Sequence, residues 1–463
     1  MTTRRGMVRA SKEPPAPCRR PPKKEVCLMK RPEYARPISR RAAALAAALA
    51  LALCACAPGQ TPAPGSSPAA GAESPAAAEP AAGELQLLSP GNEQGRYAIG
   101  YAGSGPQPYS LLCWVDYAAA AAAVLCSQPN CTHDSDACTA WLQDGSTAQV
   151  WAQGDGLLFT DLEDGNFVLY RADADGSNRF PLLTSPDPIQ TLLCDGAALY
   201  YLAGTGQPTL CRLPLSGGEA QAAAVLPQGT QLLGAAGRCA VLLQSDGSAA
   251  EQAFQAGEYA SYSDAFAAVG MQFRVWLQDV DTGACTELAA WTDTGDGGYA
   301  CLWQGDTLYR LSGTAPAVLL CTGRTGAART VTPALPADAA ALTPTSLQEG
   351  MDGRLFVTLS GESESRRFAV DPATGDAQEL PLTLVTNGRS IPVPVLGQGG
   401  GRLLVEYAIQ PDGTDWDTRS DGTISETERY ISRYALIPAE DFLSGQPAYQ
   451  DIALAENLLL VLQ

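Results

Sequence analysis

The sequence predicts an all-β chain closed into a β-propeller, most simply of seven blades, with six or eight as the neighbouring solutions. Three observations lead there. Beyond Leu85 the chain is a succession of short apolar or aromatic runs punctuated by Gly, Asp and Pro turns, with no long amphipathic helix. A pair of strands recurs, its second member ending in a polar turn usually built from Asp, Thr and Gly. The copies begin about 40 to 70 residues apart, the spacing of four-stranded blades that carry loop insertions. A lone four-stranded sheet buries neither face, whereas radial stacking covers both and shortens the exposed edges. The competing architecture, a pair of two-sheet sandwiches, rarely repeats one hairpin signature so often.

In chain order, residues 1–28 carry arginines and lysines among prolines without apolar periodicity. They read as an unstructured basic extension or a start codon called too early, since Met29-Lys30-Arg31 opens a signal of ordinary length. Residues 29–55 read as a lipoprotein signal peptide. Arg40 and Arg41 precede an Ala/Leu run, Ala42–Leu53, that is too short to cross a bilayer. The run ends in Leu53-Cys54-Ala55-Cys56, which resembles the bacterial lipobox. Cys56 is then the lipidated residue and the mature N-terminus, and the protein is expected on the outer face of the cytoplasmic membrane. Residues 56–85 are nearly all Ala, Pro, Gly, Ser, Thr and Glu, a composition that buries no core and spaces the following domain from the membrane by up to roughly 80 Å.

Charge narrows the partners. Of 30 Lys+Arg and 49 Asp+Glu, 13 and three precede Cys56, which leaves 17 basic against 46 acidic residues and a net charge of −29. Such a balance argues against nucleic acid and anionic lipid headgroups and favours solubility outside the cell. No lysine follows Lys30 and the only histidine is His133, so Schiff-base chemistry is excluded and general bases are few.

Residues 86–463 supply the seven strand pairs. They are Arg96–Tyr101 with Leu111–Val115, Gly156–Thr160 with Phe167–Ala172, Ala198–Leu202 with Thr209–Leu213, and Cys239–Leu243 with Arg274–Gln278. Asp306–Arg310 with Ala317–Cys321, Arg354–Val357 with Arg367–Val370 and Arg402–Tyr407 with Tyr430–Ala435 complete the set. An insertion near Glu251 to Ala268 blurs one boundary. The last strand, Asn457–Leu462, is placed to pair with the first blade and close the ring.

The Asp-Thr-Gly and Asp-x-Asp-Gly turns resemble those of TolB-like and WD40-like propeller repeats. The signal, the Ala/Pro tether and a first blade carrying Cys126-Ser-Gln-Pro-Asn-Cys131-Thr-His133 are similar to a family of uncharacterised lipoproteins of Gram-positive gut Clostridia whose propellers bear names such as DUF5050. The resemblance covers nearly the whole mature chain. It implies place and fold, and no activity.

Cys126-x4-Cys131-x-His133-x4-Cys138 gathers three thiols and the only imidazole within 13 residues. Three sulfurs and one nitrogen can surround Zn²⁺ tetrahedrally, with Asp134 and Asp136 available to orient the imidazole. Outside the membrane a disulfide pinning a loop, or unlinked thiols, are the alternatives. Asp417, Asp421, Gly422, Ile424 and Glu428 match positions 1, 5, 6, 8 and 12 of a calcium loop, and Glu426 adds a carboxylate. Arg419 stands where position 3 wants an oxygen ligand, so a polar hairpin loop binding calcium weakly at most is the plainer reading. No Gly-x-Ser-x-Gly elbow is present, and a Ser-His-Asp triad would have to recruit His133. Glycoside hydrolysis needs two facing carboxylates, which 46 acidic residues neither exclude nor nominate. The tryptophans read mainly as blade packing. The functional expectation is a membrane-anchored, non-catalytic module binding an extracellular ligand, glycan or protein. The alternative is a carbohydrate-active hydrolase or lyase on the same scaffold.

Overall fold

The computed structural model describes residues 83–463 except 103–108, 205, 295–299, 387, 419–423, 455–457 and 463. The chain divides into Met1–Pro75, which lies outside the described residues together with Cys56, and Ala76–Gln463, which holds every sheet given below.

Seven antiparallel sheets follow one another as blades. Blade 1 is built on Gly95–Ala102, Tyr109–Asp116 and Ala121–Val124; blade 2 on Val150–Gln153, Gly156–Glu163, Asn166–Asp173 and Phe180–Ser185. Blade 3 comprises Leu193–Cys194, Ala198–Ala203, Thr209–Pro214 and Gln221–Val225; blade 4 Thr230–Ala236, Cys239–Asp246, Met271–Asp279 and Cys285–Asp293. Blade 5 runs through Cys301–Gln304, Thr307–Leu311, Leu319–Gly323 and Ala328–Val331, and blade 6 through Thr343–Glu349, Leu355–Ser360, Ser365–Val370 and Ala377–Leu380. Blade 7 comprises Val395–Gly399, Arg402–Thr418, Ile424–Pro438 and Gln450–Asp451, and a separate hairpin, Thr383–Thr386 with Arg389–Pro392, forms in the chain between blades 6 and 7.

Burial on both faces of each sheet explains the continuous apolar runs. Successive side chains of a strand point to opposite faces, so Leu157 packs toward blade 1 while its neighbour Leu158 packs toward blade 3. The same alternation sends Leu199 toward blade 2 and Tyr200 toward blade 4, Leu355 toward blade 5 and Phe356 toward blade 7, and Leu403 toward blade 6 and Leu404 toward blade 1. Val241 and Leu308 fill the remaining gap between blades 4 and 5.

The first strands of successive blades approach one another and surround a central channel. Gly91–Asn92 and the C-terminal Leu458–Val461 share the inner edge of blade 1: the former pairs with Gly95 and Arg96, the latter with Ile99–Ala102. Closure by the last strand, expected from sequence, is what forms. A second strand, Gln86–Leu87, adds to the inner edge of Leu193–Cys194 in blade 3. Backbone hydrogen bonds from Gly83 N–H to Asp195 O (2.9 Å) and Leu85 N–H to Gly237 O (2.8 Å) fix its approach. Gly83–Leu85, read from sequence as the end of the tether, are therefore part of the propeller, because Leu85 is buried among Leu193, Tyr200 and Leu242.

Turns joining first to second strands are short, as at Gly237–Arg238 and Gly305–Asp306, both opened by a left-handed glycine. Antiparallel pairing puts the second-to-third connections at the opposite end. Two of these are elaborated. Blade 4 carries helices α1 (Ser248–Gln255) and α2 (Tyr262–Val269), and the middle strands of blade 7 extend over 17 and 15 residues. The helices account for the blurred boundary in the sequence: the Ala/Glu/Gln run of α1 favours helix, and Ser261 Oγ caps α2 by accepting the Asp264 N–H. Among the described residues no helix is long and apolar enough to cross a membrane.

Candidate functional site

The fourth strand of blade 1 is interrupted. Ala121–Val124 pairs with Cys113–Asp116 and Trp141–Leu142 pairs with Ser110–Leu111, leaving only Leu112 between the two ladders. Leu112 accepts the Leu125 N–H at 2.9 Å and donates its own N–H to Ala140 O at 2.8 Å. Residues 125–140 thus leave and rejoin one strand opposite a single buried leucine. The Ser-Gln-Pro-Asn and Asp-Ser-Asp runs offer no apolar row to continue a sheet, so the chain loops out instead.

This excursion brings Cys126, Cys131, His133 and Cys138 together, their ligand atoms all within 4.8 Å of one another. No disulfide joins the described cysteines. His133 Nδ1 lies 3.3 Å from Cys138 Sγ, and that sulfur also accepts the Ala140 N–H at 3.3 Å. Asn130 and His133 both have φ of +58°, the left-handed turn conformation that aims the imidazole back at the sulfurs. Burial pushes the Cys138 thiol up to about 12 against the Ala140 N–H. Burial acts on Cys126 in the same sense, but the nearby Thr139 hydroxyl, the Gln128 N–H and the Cys138 and Cys131 thiols outweigh it and bring that thiol down to about 6. Asp134, a candidate to orient the imidazole, accepts a hydrogen bond from Thr132 Oγ1 at 2.6 Å.

Blade 2 holds the base of the excursion. Gly176, at φ +74°, sits so close that a Cβ there would meet Thr139 O at 2.9 Å and Leu125 O at 3.0 Å. Arg179 donates to Thr139 O (2.5 Å) and Trp141 O (2.8 Å), with its guanidinium 4.8 Å above the Phe159 ring. Buried Asp161 accepts the N–H groups of Gln143 (2.7 Å) and Asp144 (3.0 Å) where the chain returns. The sequence marks Gly176 only as the glycine of an Asp-x-Asp-Gly turn and does not single out Arg179 or Asp161, since each acts here on a neighbour remote along the chain.

The other sequence candidates fall elsewhere. In blade 7, Asp417 pairs with Ser425, Glu426 with Trp416 and Glu428 with Thr414, while Asp421 lies outside the described residues. The second half of the calcium pattern is therefore strand and not a loop wrapped around an ion, because the ladder continues through Ile424. Trp151, Trp276 and Trp303 are buried, and Trp114, Trp141 and Trp291 pack against aromatic neighbours Tyr97, Tyr109 and Phe273.

Among the described residues, two cavities open along the inner strands. One of about 320 Å³ is lined by Leu87, Leu88, Arg96, Trp151 and Gln190. Another of about 550 Å³ is lined by Glu93, Arg96, Tyr117 and Glu349. Both carboxylates there have protein partners: Glu93 accepts the Gly400 N–H at 3.0 Å and Glu349 the Gln304 side-chain amide at 3.2 Å.

No protein-family model matches the chain. No curated protein matches it. Among solved structures it is similar to a puromycin-hydrolysing peptidase of Mycobacterium tuberculosis, at 14% identity and TM-score 0.43 over 79% of this chain; it spans 55% of that peptidase's length. It is also similar to an oligogalacturonate lyase of Vibrio parahaemolyticus (12% identity, TM-score 0.40, 81% of this chain and 86% of that one). The β-propeller domain of the Trilobed protease of Pyrococcus furiosus matches at 8% identity and TM-score 0.36, over 76% of this chain and 97% of that domain. These are likenesses of fold.

Proposed function

We propose that the protein is a lipid-anchored, extracytoplasmic propeller that binds a ligand, glycan or protein partner through the face opposite its N-terminal attachment. The observation that carries this reading is the asymmetry of the two faces. The chain enters at Gly83 beside the short turns at Asp195 and Gly237, while the helical hairpin of blade 4 and the long hairpin of blade 7 rise from the other end. A tether from a lipid on Cys56 would then join the propeller on the short-turn face and leave the elaborated face free for a partner. That face presents Tyr262 and Tyr430, 41% and 54% exposed, and aromatic side chains exposed on protruding elements suit contact with sugars or proteins.

Anchoring is tested by metabolic labelling with an alkyne fatty acid. Label on the wild type that disappears in Cys56→Ser, with external protease reaching the protein on intact cells, supports the reading; an unlabelled protein in the cytosol sinks it. Binding is tested by co-sedimentation with purified cell-wall and plant polysaccharides. Retention that Tyr262→Ala or Tyr430→Ala lowers supports the outward face, whereas release of reducing ends would favour the hydrolase or lyase instead.

A further inference from the structure

We infer that Cys126, Cys131, His133 and Cys138 form a closed, structural Zn²⁺ site that locks the excursion in the fourth strand of blade 1. The donor set is the first support. Zinc in a tetrahedral site takes sulfur at about 2.3 Å and nitrogen at about 2.0–2.1 Å, so its sulfurs stand about 3.8 Å apart and the nitrogen about 3.5 Å from each. Here all four lie within 4.8 Å with one pair already at 3.3 Å, and a small inward movement of side chains completes the sphere. A disulfide would use two of the thiols and leave a third thiol and the imidazole pointed at it without a role.

Backbone geometry is the second. The Cys138 sulfur receives the Ala140 N–H, from the residue two positions on, at 3.3 Å. Such a bond orients the sulfur, which is the arrangement a metal-bound thiolate needs.

The third support is the energetics of the loop itself. Residues 127–130 and 134–137 are exposed and carry no large apolar side chain, and the stretch contains no helix or strand. Apolar burial cannot fix a segment of this kind, so a cross-link must offset its conformational entropy. Its ends are already held, by Leu112 on one side and by Gly176 and Arg179 of blade 2 on the other. The metal would fix what lies between.

In the filled site all three cysteines are thiolates and the neutral imidazole contributes Nδ1, leaving a net charge of −1. The Arg179 guanidinium supplies the opposite charge nearby. Four protein ligands leave no position for water, so the ion is structural and does no chemistry on a substrate.

The test uses the full chain, purified in reducing buffer, loaded with ZnCl₂ and dialysed. About one zinc per chain is expected, and Co²⁺ substitution should give the intense bands of a tetrahedral, thiolate-rich site. Cys126→Ser, Cys138→Ser and His133→Ala should each lower retained zinc at least fivefold, while Cys285→Ser, in blade 4, retains it. The wild-type cobalt spectrum reports ligand type and number even where a variant fails to fold. Three results overturn the inference: wild type that retains no zinc, zinc retained equally by all the ligand variants, or an unreduced mass two units short with the loss mapped to two of these cysteines.

Discussion

Arg238→Met removes the group that locks the N-terminal strand into the propeller. The guanidinium makes paired hydrogen bonds to Asp281 (2.7 and 2.9 Å) and single ones to Asp195 (2.9 Å), Tyr200 (3.3 Å) and the Gly83 carbonyl (2.7 Å). These bonds differ in worth. The Asp281 side chain is 54% exposed, so that pair contributes about 0–1 kcal/mol. The Asp195 side chain is fully enclosed, and breaking a buried pair costs about 3–5 kcal/mol. Asp195 keeps the N–H groups of Ala197 and Ala198 and the Tyr200 hydroxyl, and Arg238 is itself one-quarter exposed, which places the loss toward the lower end. Adding about 1 kcal/mol for the Gly83 carbonyl and the small Asp281 contribution gives a total of about 4–5 kcal/mol. Urea unfolding should show it, and hydrogen exchange should show the amides of Gly83, Leu85 and Leu88 losing protection first. The pH dependence carries a sign. Burial tends to raise the Asp195 pKa, but Arg238, the two N–H groups and the Tyr200 hydroxyl hold it below the ordinary carboxylate range. The unfolded chain therefore takes up the proton first on acidification. The stabilisation is present above about pH 4, the unfolded value, and is lost as pH falls through the lower folded value. Arg238→Met should lose less over that window than the wild type. A variant within 0.5 kcal/mol of wild type, with protection of residues 83–88 unchanged, would refute the clamp.

Three further outcomes follow from the same packing. Leu460→Ala, at a side chain 2% exposed in the closing strand, should cost about 3–5 kcal/mol in urea unfolding, because the cavity opens in the cluster shared by blades 1, 2 and 7; a loss under 1 kcal/mol would mean that strand does not close the ring. Gly176→Ala should cost more than about 1 kcal/mol from its positive φ, and it should lower zinc retention although it touches no ligand, since its Cβ presses on Thr139 O and Leu125 O. Asp161→Ala strands the N–H groups of Gln143 and Asp144 at about 1–3 kcal/mol each, read as a lower thermal midpoint, whereas Asp161→Asn should recover part of it.

Every strand pair legible in the sequence is the second and third strand of a blade. These strands have neighbours on both edges and clusters on both faces, so selection for burial writes a continuous apolar run such as Leu157-Leu158-Phe159. The outer strands Gln221–Val225 and Ala328–Val331 are largely exposed and carry no such signal. Of the inner ones, Leu193–Cys194 is too short and Leu458–Val461 is supplied from a terminus, while Thr230–Ala236 and Thr343–Glu349 mix exposed and buried positions. The cysteine–histidine cluster was legible as a set of ligands because its members lie close in sequence. Its platform was not: Leu112, Gly176 and Arg179 reach it only through sheet pairing and blade contact.

The arrangement at the centre follows from the number of blades. A seven-bladed ring leaves a channel wider than the side chains of its first strands can fill, and an unfilled apolar wall forfeits dispersion contacts and burial. Here the chain's own N-terminal segment enters that space: Leu85 packs with blades 3 and 4, Gln86–Leu87 pairs with blade 3, and the Ser89 carbonyl accepts the Ala152 N–H of blade 2 at 2.8 Å. The same segment continues into Gly91–Asn92 and shares the inner edge of blade 1 with the C-terminal strand. One stretch therefore crosses three blades before the ring begins and then meets the strand that ends it. A pull on the chain ahead of Gly83 would be carried by the Arg238 clamp and the blade 3 ladder before the closing strand, so entry of the chain and closure of the ring are separate mechanical elements of one fold.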